Sequence, residues 1–113
     1  MQKSNNKVVL LTGGNLNDRL KNIALAFELV KQEIGIIHAR SSIYESAPWG
    51  FEGETNFLNQ VIVVTTKLSP LEVLRKCHFI EDQFGRIRNT EAYISRTMDV
   101  DILFYNNEII DET

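Results

Sequence analysis

Two aspartates separated by a single residue, Asp99 and Asp101, stand in the run RTMDVDILFY near the end of the sequence. The run reads as a β-strand, where aspartate is disfavoured. Residues two apart on a strand share a face, so the two carboxylates point the same way with Cα atoms roughly 6–7 Å apart. Val100, Ile102 and Phe104 take the other face and are expected in the core. Carboxylates this close repel each other unless a cation or an arginine sits between them. Oxygen ligands suit a hard ion such as Mg2+, which keeps waters and is usually shared with substrate phosphates. The same pair suits two Mg2+ ions at about 3.5–4 Å separation. An isolated D-x-D more often caps an exposed strand end beside surface Lys or Arg. The neighbouring arginines change that balance. Arg86 and Arg88 flank Ile87, and Arg96 precedes the aspartates. Guanidinium groups bind phosphate bidentately. Metal-holding carboxylates beside a cationic clamp are what nucleotide phosphoryl transfer requires.

A second group of residues suits a flat heterocycle. Phe57 and Asn59 share a strand face, giving a ring for stacking and an amide with donor and acceptor. Phe57 alone would pass for core, but a buried Asn59 needs partners. Trp49 lies in the loop APWGFEGET, and Tyr93 in the arginine loop is placed to close over the same site. Glu81 lies at the apolar edge of a helix, either paired with Arg86 or Arg88 or steadying the site from behind. Cys77 reads as a small core residue, and His38 and His78 as structural or surface residues. Gly13 and Gly14, ahead of Asn15, mark either a close backbone approach to a ligand or a tight turn. Neither a P-loop nor a kinase-type glycine loop occurs.

The elements that must carry these groups follow from pattern. Residues 1–6 form a polar tail, and 7–12 (KVVLLT) an apolar strand broken by Gly13 and Gly14. Leu16, Leu20, Ile23, Phe27 and Val30 recur at helical spacing, with Asn15 or Asn17 as N-cap and Gly35 as the stop. Residues 36–44 read as one strand and 57–66 (FLNQVIVVTT) as another. Ser69, Pro70 and Glu72 spell a capping box with proline at the first helical position, for a helix ending at Phe84 before Gly85. The aspartate strand closes the series. The order strand, helix, strand, strand, helix, strand gives a ferredoxin-like α+β sandwich. Two helices cover one face of a four-stranded antiparallel sheet, and the other face is left to ligands. Many activities share that fold, so function must come from the site.

The 113 residues fit one domain, spanning 7–113, with 43% hydrophobic and 24% charged residues. A net charge of −3 argues against broad nucleic-acid affinity. No apolar run approaches the ~20 residues of a membrane span, the N-terminus lacks a signal-peptide core, and one cysteine allows no internal disulfide. A cytoplasmic location is expected.

These pieces resemble the 6-hydroxymethyl-7,8-dihydropterin pyrophosphokinases of folate biosynthesis. The resemblance is carried by GGNL at 13–16, SxYESAPWG at 42–50, NFLN at 56–59, IExxFGRIR at 80–88 and above all RTMDVDILFY at 96–105. It implies transfer of pyrophosphate from ATP to the pterin hydroxymethyl oxygen, with attack on the β-phosphorus and release of AMP. It implies Asp99 and Asp101 as ligands of two Mg2+ ions, and Arg86 and Arg96 beside the triphosphate as catalytic groups. Arg88 and Ile102 join them on the ATP side. Ser46, Ala47, Trp49, Phe57 and Asn59 would line the pterin pocket under Tyr93, with Gly13, Asn15 and Glu81 supporting. A monomer with no nucleic-acid or membrane partner is implied. Gly14 stands where Ser is more usual and Asn17 where Gly is common. The family continues past the equivalent of Thr113 into a segment with a Pro-His nucleotide contact, an Arg and a stacking Phe, none of which is in this sequence. Either the sequence is part of a longer chain, or the alternative expectation holds, a shortened, non-catalytic pterin- or nucleotide-binding remnant. An RNA-binding sheet of the same topology lacks its aromatic strand motif here.

Overall fold

A computed structural model describes residues 5–47, 55–85, 97–106 and, for the backbone alone, 108–112. Its elements run β1 (Asn6–Gly14), α1 (Arg19–Glu33), β2 (Ile36–Arg40), β3 (Tyr44–Ser46), β4 (Phe57–Thr66), α2 (Pro70–Asp82), β5 (Asp99–Tyr105) and β6 (Glu108–Glu112). The sheet order is β2-β4-β1-β5-β6, all described pairings are antiparallel, and β3 continues the β2 edge along β4. The expected ferredoxin-like order is thus present, and β6 adds a strand that the sequence reading did not include. No helix among the described residues is long and apolar enough to cross a membrane.

Both helices cover one face. Ile23, Ala26 and Val30 of α1 and Val73, Cys77 and Ile80 of α2 pack against Val8, Leu10, Ile62, Val64, Val100 and Ile102 of the sheet. The α2 start is the expected capping box: Ser69 Oγ accepts from the Glu72 N–H at 3.2 Å, and Glu72 Oε1 accepts from the Ser69 N–H at 2.8 Å. That helix ends at Asp82, and Gly85 closes the turn at φ 77, the left-handed region open to glycine.

Four expectations need correction. Helix α1 starts later than expected: its N-cap is Asp18, which accepts from the Lys21 N–H at 3.2 Å. Asn17 instead takes a left-handed turn at φ 62, a conformation asparagine tolerates and glycine favours. Strand β1 does not break at the glycines but pairs through Gly14. The expected 36–44 strand is divided, with Ser41 spanning the gap by its N–H to Val61 O (2.8 Å) and its Oγ accepting from Val61 N–H (2.9 Å). Finally, Phe104 is not core. A bulge opposite Val9 and Leu10 adds Leu103 to β5, and an added residue reverses the alternation beyond it. Phe104 becomes 41% exposed, and Tyr105 takes the core position beside Val8 with its hydroxyl donating to Leu68 O at 2.6 Å.

Candidate functional site

The sheet face away from the helices carries the candidate residues. Strand register decides their arrangement. Gly13, near the end of β1, pairs with Asn59 of β4 on one side and with Asp99 of β5 on the other. Leu11, on the same face, likewise sits between Val61 and Asp101. The central strand therefore lies between Asn59 and Val61 of β4 on one side and the two carboxylates of β5 on the other. One row places Asn59 and Asp99 two strand spacings apart, about 10 Å.

Asp99 and Asp101 are both half-buried, at alternate positions of β5. Their common face is as expected, while Val100 and Ile102 turn into the core at 3% and 2% exposure. The side chain of Ile102, the residue expected on the ATP side, is buried among the core residues. The pair offers oxygen donors to a partly hydrated hard cation, which fits Mg2+. Among the described residues no third Asp, Glu, His or Cys joins them as a potential metal group, in keeping with an ion that completes its shell from water and substrate.

Asn59 is 9% exposed and its amide is ordered by two acceptors. Nδ2 donates to Ser46 Oγ at 2.9 Å and to Tyr44 O at 3.4 Å. The buried amide thus has the partners it requires. Its Oδ1 lies over Gly13, where a Cβ would come within 2.5 Å of it. Gly13 therefore makes room for Asn59, a close approach within the chain and not the approach to a ligand expected from the sequence. Phe57 is half-buried at the start of β4, paired with Ser46 of β3. Ala47 follows, exposed. Asn15 is buried and donates from Nδ2 to Thr55 O at 2.9 Å, tying the end of β1 to the approach to β4.

Glu81 is buried at 3% exposure and Oε2 accepts from the Val100 N–H at 2.8 Å. This bond supports β5 from the core side, one of the two expectations; the other, a pair with Arg86 or Arg88, falls on residues outside those described. The neighbouring Cys77 thiol is pushed up to about 12, first by burial and then by the charges of Glu81 and Asp101. It is a core thiol, as expected. His38 is exposed and His78 half-buried. Trp49, Arg86, Arg88, Tyr93 and Arg96 lie outside the described residues.

Arg19 belongs to this region and was not singled out from the sequence. Its Nη1 donates to Glu45 Oε2 at 3.1 Å and to Asn56 O at 2.8 Å, tying the start of α1 to β3 and to the approach to β4. The available signal was its place in the first turn of a helix, where the dipole disfavours a cation.

Comparison with known proteins gives one consistent result. The family model described as 7,8-dihydro-6-hydroxymethylpterin-pyrophosphokinase (HPPK) matches residues 9–111. A 2-amino-4-hydroxy-6-hydroxymethyldihydropteridine pyrophosphokinase of Porphyromonas gingivalis is 36% identical over 88% of this chain and 69% of its own length. Proteins of the same name from Aquifex aeolicus and Bacillus subtilis are 39% and 36% identical, over 91% and 95% of this chain. The chain spans 63% and 64% of those two relatives. Among solved structures, wild-type Plasmodium falciparum HPPK-DHPS shares the fold with a TM-score of 0.70 at 19% identity, over 93% of this chain and 30% of that one.

Proposed function

The chain belongs to the 7,8-dihydro-6-hydroxymethylpterin-pyrophosphokinase family, and we propose that it transfers pyrophosphate from ATP to the hydroxymethyl oxygen of 6-hydroxymethyl-7,8-dihydropterin. The observation that carries this reading is the row Asn59, Gly13, Asp99. It sets the Asn59 amide and the Asp99 carboxylate about 10 Å apart on one sheet face. That spacing suits a bicyclic ring at one end and a polyphosphate at the other.

The residues divide the work accordingly. Asn59, its amide oriented by Ser46 and Tyr44, reads the polar edge of the pterin, and Phe57 stacks on the ring. Ser46, Ala47 and Trp49 complete that pocket, and Tyr93 closes over it. Asp99 and Asp101 would hold two Mg2+ ions. When bound, the ions neutralise charge on the phosphate oxygens and align the triphosphate. Arg86, Arg88 and Arg96 clamp the phosphates. In the reaction the pterin oxygen bonds to the β-phosphorus, the bond from that phosphorus to the AMP oxygen breaks, and the hydroxymethyl proton is lost. Positioning and charge carry most of such a step. A monomer is expected on sedimentation.

The test is AMP release from ATP, assayed with pterin alcohol and Mg2+ each present or withheld. The reading requires AMP only when both are present. AMP formation independent of the pterin alcohol would sink it.

A further inference from the structure

We infer that Glu81 is a positioning residue for phosphoryl transfer: its carboxylate holds the β5 backbone between Asp99 and Asp101 and so fixes the directions in which both side chains leave the sheet. The inference rests on the assignment of the aspartate pair to Mg2+ made above.

Glu81 occupies the last turn of α2, on the core side of the sheet. A buried carboxylate is costly unless it is hydrogen-bonded. Its 2.8 Å bond to the Val100 N–H is charge-assisted and short. Val100 is one residue from each aspartate. On one flank this part of β5 is held by β1, through Gly13↔Asp99 and Thr12↔Val100. On the other, the described pairing with β6 covers only Ile102 to Tyr105. At the head of the strand the Val100 N–H is thus bonded to a helix side chain, while the Val100 side chain is packed in the core at 3% exposure. Side chains alternate along a strand, so clamping this peptide sets the outward vectors of Asp99 and Asp101 together. Groups that orient metal ligands in this way typically change metal affinity about 10–100-fold when removed.

Three variants of the full chain test this. Glu81→Leu removes the acceptor at similar volume, Glu81→Gln keeps an acceptor oxygen, and Glu81→Asp keeps the charge with a shorter reach. The readouts are thermal unfolding, hydrogen exchange at the Val100 amide, and Mn2+ binding by electron paramagnetic resonance with α,β-methylene ATP present. kcat and the pterin KM are measured on the same samples. The Leu variant is expected to remain folded, to exchange the Val100 amide faster, and to lose about tenfold or more in Mn2+ affinity and kcat. Its pterin KM should stay within about twofold of wild type, because Asn59 lies beyond β1. The Gln variant should recover most of the loss. Should Leu not fold, Glu81→Asp decides, with weakened Mn2+ binding expected. Wild-type Mn2+ affinity in the Leu or Asp variant overturns the inference, as does a pterin KM that rises in step with the metal loss, or a Gln variant as weak as Leu. Wild-type protein that binds Mn2+ but makes no AMP removes the activity reading and leaves this inference to be decided by the metal data. Wild-type protein that binds no Mn2+ removes the aspartate assignment and this inference with it.

Discussion

The side-chain oxygen of Asn59 occupies the space where Gly13 has no side chain, so closely that a Cβ at Gly13 would lie 2.5 Å from it and 3.2 Å from Leu58 O. An alanine must displace either an amide already held by Ser46 and Tyr44 or the β4 backbone. Gly13→Ala is therefore expected to weaken pterin binding about tenfold and to cost about 1–3 kcal/mol of stability, the usual range for overpacking. Isothermal titration with the pterin and a denaturant melt would check both. Unchanged affinity would mean that Asn59 does not read the pterin.

The aspartate pair should behave as a unit. Asp99→Asn and Asp101→Asn each remove one negative oxygen donor at nearly constant volume. Each is expected to reduce kcat by two orders of magnitude or more, about the loss of several kcal/mol of charge stabilisation. Both variants should still unfold cooperatively, because the two side chains are only half-buried. Full activity in both would remove the metal assignment.

Cys77 predicts a pH dependence. Its folded value is raised from 9.0 to about 12, so the folded state holds the thiol proton more tightly than the unfolded chain. Its contribution is complete below pH 9.0 and is lost as the pH rises towards 12. Unfolding free energy should fall by about 1.4 kcal/mol per pH unit for this one proton within that window. Burial raises the Tyr105 phenol too, with Glu72 adding to it, so it acts in the same direction at higher pH. Urea midpoints at pH 8 and 10 in wild type and Cys77→Ala would separate the thiol's part. A thiol reagent at neutral pH should label Cys77 only on unfolding, since its side chain is fully buried.

Ser69→Ala provides a control on the helix that carries Glu81. It removes the Oγ acceptor of the Glu72 N–H and should cost about 1 kcal/mol. With the far end of α2 intact, kcat and Mg2+ dependence should match wild type at temperatures well below the melt. A change in Mg2+ dependence would mean that the site responds to any weakening of α2.

How much of this was legible in the sequence depends on the range of the interaction. The Ser69 capping box, the Gly85 turn, the common face of Asp99 and Asp101 and the alternation of helices and strands are set by residues within a few positions of one another. Local backbone geometry imposes those periods wherever the chain goes, and the element order then allows few topologies. The motif blocks likewise gave the family directly, because their spacing survives in the linear chain.

What the tertiary structure alone decided depends on register between distant strands. The bulge at Leu103, which exchanges Phe104 for Tyr105 in the core, exists only because β5 is paired to β1. The start of α1 at Arg19, capped by Asp18, follows from a strand that continues through Gly14 to pair with Leu58. Gly13 could not be distinguished from a turn glycine until Asn59 was placed beside it. Glu81 read as an acidic residue at an apolar edge that either paired with an arginine or steadied the site, with no partner named in β5. That it bonds the peptide between two aspartates is a contact across 19 residues. Such contacts form when helix and strand pack around a common core, and no local propensity encodes that packing.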